Sequence, residues 1–289
     1  MKVSFLGLGL MGGPMARHVL AGGHALTVWN RSPAKSVPFA ERGATVAASP
    51  AEAVRDAELV ILMLENGPIV ETVLFGGGAD AAIPPGAVVV DMSSIKPAEA
   101  QDHAARLARR GVRHVDAPVS GGTTAAEGGT LAIMAGGEAE AFAVAEPVLR
   151  LMGRAVLVGP HGSGQLAKLA NQLIVGATIG AVAEALLMAE RGGADPAKVR
   201  EALRGGFAES RILELHAQRM IDRDFRTRGR CVTHLKDLDN ALDAASRMGM
   251  ATVPYTALTA ELYRGLIAAQ GDPDHSGLLL ELERRNPAR

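Results

Sequence analysis

Val3-Ser4-Phe5-Leu6-Gly7-Leu8-Gly9-Leu10-Met11-Gly12-Gly13-Pro14-Met15 decides the fold. Val3-Ser4-Phe5-Leu6 is a short, β-prone apolar run and predicts a strand; residues 11–21 predict a helix. Between them stands Gly7-x-Gly9-x-x-Gly12. Glycines at this spacing permit a tight turn and let the backbone approach a pyrophosphate, whose charge the helix N-terminus attracts. Three glycines alone also describe a turn without a ligand. The strand–turn–helix setting points to dinucleotide binding, with Gly7, Gly9, Leu10, Met11 and Gly12 as the contacting residues.

The same pattern continues outward. Residues 25–29, 59–64, 87–91, 113–116, 131–135 and 155–158 read as further strands. The unbroken apolar runs at 59–64 and 87–91 are those of strands covered on both faces. Helical stretches at 33–42 and 97–110 fall between strands, and the alternation predicts an α/β, Rossmann-type doubly wound parallel sheet. After Gly159-Pro160-His161-Gly162 the composition turns helical. Residues 164–191 predict one long helix, followed by helices at 196–203, 209–220, 233–248, 254–268 and 276–284, punctuated by glycine pairs. We therefore expect a dinucleotide-binding Rossmann domain over 1–161 and an all-helical substrate and oligomerisation domain over 162–289. Residues 284–289 read as a polar tail.

A formal net charge of −1 over 289 residues gives no global field toward nucleic acid or anionic membrane. The basic cluster at 106–113 reads as a solvated helix face. The single cysteine, Cys231, excludes an internal disulfide and fits a reducing compartment. The eight histidines are scattered and none forms a Cys/His metal-ligand spacing, so no metal is expected. The N-terminal glycines and Pro14 argue against a signal-peptide core. The charge-free run at 169–183 is shorter than the ~20 residues that span a bilayer. We expect a soluble cytoplasmic protein that binds neither nucleic acid nor membrane.

Cofactor choice is read at the end of the second strand, Trp29-Asn30-Arg31-Ser32. A carboxylate there would bind the adenosine ribose and favour NAD; none is present. Arg31 can pair with a 2′-phosphate, and Asn30 and Ser32 can hydrogen-bond it, which predicts a preference for NADP(H) with NAD(H) left open. An arginine stacked on adenine or turned to solvent is the other reading.

Lys168 opens a segment, 169–183, without Asp, Glu, Lys or Arg. Desolvation lowers an amine's pKa and suits it to proton transfer near neutral pH. Asn171 lies three residues on and shares its helix face. A lysine that snorkels to water is the competing reading. In Asp116-Ala117-Pro118-Val119-Ser120-Gly121-Gly122, the Ser120 hydroxyl and the N–H groups of Gly121 and Gly122 can cradle a small carboxylate; a plain loop fits the pattern too.

Gly7–Gly12, Asp91-Met92-Ser93-Ser94, Asp116–Gly122, Gly164-x-x-x-Lys168-x-x-Asn171 and Lys236-Asp237-Leu238 occur in this order. The series resembles the β-hydroxyacid dehydrogenase family through essentially the whole chain. That family includes 3-hydroxyisobutyrate dehydrogenases, 2-hydroxy-3-oxopropionate (tartronate semialdehyde) reductases and glyoxylate/succinic semialdehyde reductases. The resemblance implies an NAD(P)-dependent enzyme acting on a short carboxylate-bearing aldehyde or hydroxy acid. It implies Lys168 as general acid/base, Asn171 as its orienter or a substrate ligand, and Ser120, Gly121 and Gly122 as the carboxylate site. It further places Ser94 by the nicotinamide ribose, Met63 and Leu64 along the cofactor cleft, and Lys236 reaching the cofactor or closing the site. A homodimer or homotetramer built on the long helix is also implied.

Gly205-Gly206-Phe207-Ala208-Glu209-Ser210 and Asp274-His275-Ser276 resemble the 2-hydroxy-3-oxopropionate reductases, whereas Trp29-Asn30-Arg31 resembles the NADPH-using glyoxylate/succinic semialdehyde reductases. The expected substrate comes from one of these two groups, with 3-hydroxyisobutyrate as the alternative. An imine reductase or a non-catalytic NADP-binding module are remoter alternatives. Lys168 counts against the former, and the joint presence of Ser120, Lys168 and Asn171 counts against the latter.

Overall fold

A computed structural model describes residues 1–287. The chain divides into two compact units, Met1–Lys168 and Leu169–Arg289. The division falls inside one helix, Ser163–Arg191, a little after the 161/162 boundary expected from sequence.

The first unit holds a nine-stranded sheet. Its strands are β1 (Lys2–Leu6), β2 (Ala25–Trp29), β3 (Thr45–Val46), β4 (Leu59–Leu62), β5 (Val88–Asp91), β6 (Arg113–Asp116), β7 (Val119–Ser120), β8 (Leu131–Gly137) and β9 (Gly153–Gly159). The order β3-β2-β1-β4-β5-β6 is parallel throughout. Alternation sends neighbouring residues to opposite faces. Phe5, Ile61 and Val90 enter one core, while Leu6, Leu62 and Val89 enter the other. Both faces are covered by helices, so the Rossmann-type expectation holds.

The far edge is mixed. β8 runs antiparallel to β6 and to β7, and β9 pairs parallel with β8. β6 and β7 pair in one register with the same edge of β8, so β7 continues β6 past the interruption at Ala117-Pro118. Residues 33–42 do not form the single helix expected. They make a 3₁₀ turn, Pro33–Lys35, and a one-turn helix, Val37–Ala40, because Pro38 fixes its own φ and carries no N–H. Met63 and Leu64 lie just beyond β4, and the helix Ala139–Leu149 is a further element that sequence reading omits.

The second unit is helical. After the long helix come Pro196–Leu203, Arg211–Ile221, Cys231–Arg247, Pro254–Gln270 and Leu278–Arg285. Ile179, Ala183, Leu213, Leu238, Tyr263, Leu266 and Leu278 form its core. The long helix satisfies the length and hydropathy of a membrane span, yet it contributes Ile179, Val182, Ala183, Leu186 and Leu187 to this core. Of the expected tail, Arg284 and Arg285 are helical; residues 288–289 lie outside the described residues.

Candidate active site

The glycine turn is shaped by close backbone approach. A Cβ on Gly7, whose φ is +104°, would lie 2.3 Å from the Met63 carbonyl oxygen, and one on Gly12 would lie 2.0 Å from that of Gly7. These two glycines let β1, the segment after β4 and the first helix, Gly12–Ala21, crowd together. Gly9 differs: a Cβ there would meet nothing within 4 Å. The turn therefore presents an open backbone surface at the start of a helix, which suits a pyrophosphate. A cavity of about 350 Å³ beside it is rimmed by Arg17, Lys35 and Arg42. These residues fit a dinucleotide.

At the end of β2 the structure separates the three predicted side chains. Asn30 Oδ1 accepts from Leu8 N at 2.8 Å, and its Nδ2 donates to the Ser32 carbonyl at 3.0 Å. Its amide braces the glycine turn. Arg31 and Ser32 are exposed.

Lys168 lies on the second turn of the long helix and is 9% exposed, so it is largely withdrawn from solvent. The start of this helix is fastened to the ends of β5 and β6. Asp116 Oδ1 accepts from Gly162 N at 2.8 Å and its Oδ2 from Gln165 N at 2.9 Å. Gln165 is fully buried. Its Nε2 donates to the Ser93 carbonyl at 2.9 Å, and its Oε1 accepts from Ile95 N at 3.0 Å. Ser93 Oγ in turn accepts from Leu64 N at 3.0 Å. One network thus joins Leu64, the two residues flanking Ser94 and the helix of Lys168.

Asp91 and Asp116 are register partners on adjacent strands, both fully buried. Burial raises both carboxyls above the usual range, Asp91 to about 7. Asp91 Oδ1 accepts from Ser93 N at 2.9 Å, while its Oδ2 has no hydrogen-bond partner among the described residues. A carboxyl so desolvated is easier to keep protonated.

Ser120 ends β7, and Gly122 opens the helix Gly122–Glu127. The segment is therefore a strand-to-helix junction with positive φ at Gly121 (+134°) and Gly122 (+66°). A Cβ on Gly121 would lie 2.5 Å from Ala125 Cβ. Both glycines are exposed, and Ser120 is half-buried.

In the helical unit, Asn171 Nδ2 donates to Gln172 Oε1 at 2.9 Å, and Gln172 Nε2 donates to Asp237 Oδ2 at 2.8 Å. Lys236 Nζ lies 3.1 Å from Asp237 Oδ1. Asn171 and Lys236 therefore belong to one polar chain. Gln165 and Gln172 were not singled out from sequence. Each sits within the Gly164–Asn171 neighbourhood, but a glutamine in a helix gives no local sign of what its amide will meet.

Residues 2–159 match the family described as the NAD binding domain of 6-phosphogluconate dehydrogenase. Residues 162–282 match that described as NAD-binding of NADP-dependent 3-hydroxyisobutyrate dehydrogenase. The chain is 42% identical to 2-hydroxy-3-oxopropionate reductase of Escherichia coli (strain K12), over 98% of this chain and 97% of the relative. It is 36% identical to 3-hydroxyisobutyrate dehydrogenase of Pseudomonas aeruginosa, over 96% and 95% of the two chains. Among solved structures, Mycobacterium tuberculosis 3-hydroxyisobutyrate dehydrogenase with L-serine superposes with a TM-score of 0.90 at 30% identity, covering 97% of this chain and 98% of that one.

Proposed function

Because the chain belongs to the β-hydroxyacid dehydrogenase family of NAD(P)-dependent oxidoreductases, we propose that it reduces a short semialdehyde acid with NADPH. The first candidate substrate is 2-hydroxy-3-oxopropionate, followed by glyoxylate and succinic semialdehyde. The observation that carries this reading is the withdrawal of Lys168 from solvent on a helix fastened to the carboxyl ends of β5 and β6, the edge where doubly wound sheets bind ligands.

When bound, the nicotinamide supplies a hydride to the carbonyl carbon. The chain's own residues do the rest. Gly7, Gly9 and Gly12, with the backbone of Leu10 and Met11, hold the pyrophosphate, while Arg31 and Ser32 meet the 2′-phosphate. Met63, Leu64 and Ser94 border the nicotinamide end. Ser120, Gly121 and Gly122 take the substrate carboxylate, and such positioning contributes several kcal/mol. Lys168 gives a proton to the carbonyl oxygen as negative charge grows there, and its own charge stabilises that state. Asn171 orients the substrate or the lysine, and Lys236 works from the helical unit.

The 42% relative supports 2-hydroxy-3-oxopropionate as substrate. The 36% relative supports 3-hydroxyisobutyrate oxidation as the second reading. We place the enzyme in the cytoplasm, in keeping with its unpaired Cys231, and as a dimer or tetramer built on the long helix, where Ile174 and Met188 stand 62% and 72% exposed. Following NADPH and NADH absorbance with these aldehydes, and NADP⁺ reduction with 3-hydroxyisobutyrate, tests the proposal. The highest kcat/KM is expected for 2-hydroxy-3-oxopropionate with NADPH. A clear preference for 3-hydroxyisobutyrate would replace the first reading with the second, and a preference for NADH would remove the phosphate role of Arg31.

A further inference from the structure

We propose that Gln165 is a positioning residue that sets Lys168 against the loop carrying Ser94. The inference rests on the role given to Lys168 above and adds a residue that the five sequence motifs do not assign.

Gln165 is fully buried, a place where an apolar side chain would pack as well. An amide there costs free energy unless its donor and acceptor are both used. They are, and on two backbone groups that flank one residue. Nε2 donates to the carbonyl of Ser93, and Oε1 accepts from the N–H of Ile95. Ser94 is gripped from both sides. Lys168 is three residues further along the same helix, roughly 4.5 Å along the axis and on the same face. The amide therefore ties the lysine-bearing turn directly to the Ser94 loop.

The helix cannot slide or rotate to compensate. Asp116 accepts from Gly162 N and from Gln165 N. A Cβ on Gly164 would lie 2.4 Å from the Met134 carbonyl oxygen and 2.5 Å from that of Asp116. A Cβ on Gly136 would lie 2.6 Å from Gly164 N. Backbone meets backbone here, and the carboxylate fixes the rotation. With the helix start pinned, the Gln165 side chain joins the Ser94 loop to it through two hydrogen bonds.

The test uses the full-length enzyme and three variants, Gln165→Met, Gln165→Glu and Lys168→Ala. Methionine keeps the length and loses both hydrogen bonds. Glutamate keeps the acceptor for Ile95 N, and its carboxyl donates to the Ser93 carbonyl only when protonated. Gln165→Met is expected to lose ~10- to 100-fold in kcat with NADPH KM within about threefold, the scale of a misplaced catalytic group. Gln165→Glu is expected to recover turnover relative to wild type as pH falls, a response that packing alone does not produce.

A Gln165→Met enzyme that melts normally and keeps kcat within about twofold overturns the inference, since misplacement costs far more. Should Gln165→Met not fold, a flat pH ratio for Gln165→Glu overturns it instead. If Lys168→Ala is inactive while Gln165→Met is fully active, only this inference falls. If Lys168→Ala itself turns over normally, the reading of the site falls with it.

Discussion

Arg31 is the residue on which cofactor choice turns. Asn30 is committed to Leu8 N and the Ser32 carbonyl, so Arg31 and Ser32 are the exposed groups at the end of β2. Arg31→Ala should raise KM for NADPH roughly 10-fold or more and leave NADH kinetics unchanged, since a charge-assisted contact to phosphate is lost. Equal effects on both cofactors would place the arginine on the adenine instead. At this scale sequence was informative wherever a residue answers a local need. The glycine triplet was legible because tight turns and close approach demand it. Asn30 reads in sequence as a phosphate ligand, because its brace to Leu8 depends on a turn that only the folded chain brings near. Asp91 stands within a motif, but its raised pKa is invisible in sequence, since it comes from burial on a strand beside that of Asp116.

The decisive element is the start of the helix Ser163–Arg191. Replacing a helical glycine by alanine ordinarily stabilises by ~1 kcal/mol. At Gly164 the sign should reverse, because the new Cβ meets two carbonyl oxygens at 2.4 and 2.5 Å, and backbone cannot give way cheaply. Gly164→Ala should cost about 1–3 kcal/mol in chemical denaturation and lower kcat. A variant as stable and active as wild type would contradict this close approach. The helix itself was legible from its long apolar run, and the central strands from theirs. The mixed edge at β8 was not, because Val119-Ser120 is too short to show a period. The stretch 33–42 has the composition of one helix, and Pro38 within it is what divides it.

Over the molecule as a whole, sequence scatter conceals convergence. Histidines far apart in the chain meet in the helical unit. His234 Nδ1 lies 3.3 Å from His275 Nδ1, and the rings of His216 and His275 stand 4.6 Å apart. His216, Asp274 and His275 also have ligand atoms within 4.8 Å of one another, contrary to the scatter expected. Asp274, however, already accepts from Arg228 N, Gly229 N, Ser276 N and Ser276 Oγ. Burial lowers the His216 and His275 pKa values to about 4 and about 3. From the ordinary value of 6.5 down to these, the unfolded chain binds more protons, so stability rises with pH there and is lost on acidification. Asp91, raised to about 7, and Asp116, also raised, act in the opposite sense over part of this range, so the histidine contribution is read by difference: between pH 7 and pH 5, His216→Leu should lose less of its urea midpoint than the wild type does. An unchanged slope in that variant would mean that His216 is not the group responsible. The division into an α/β part and a helical part was legible from composition alone, whereas this cluster required the fold. The proposed chemistry stands on Lys168, and its most direct test is kcat and NADPH affinity measured side by side for Lys168→Ala on the best substrate. A loss of ~100-fold or more in kcat with NADPH binding retained is the predicted result; undiminished turnover would contradict it.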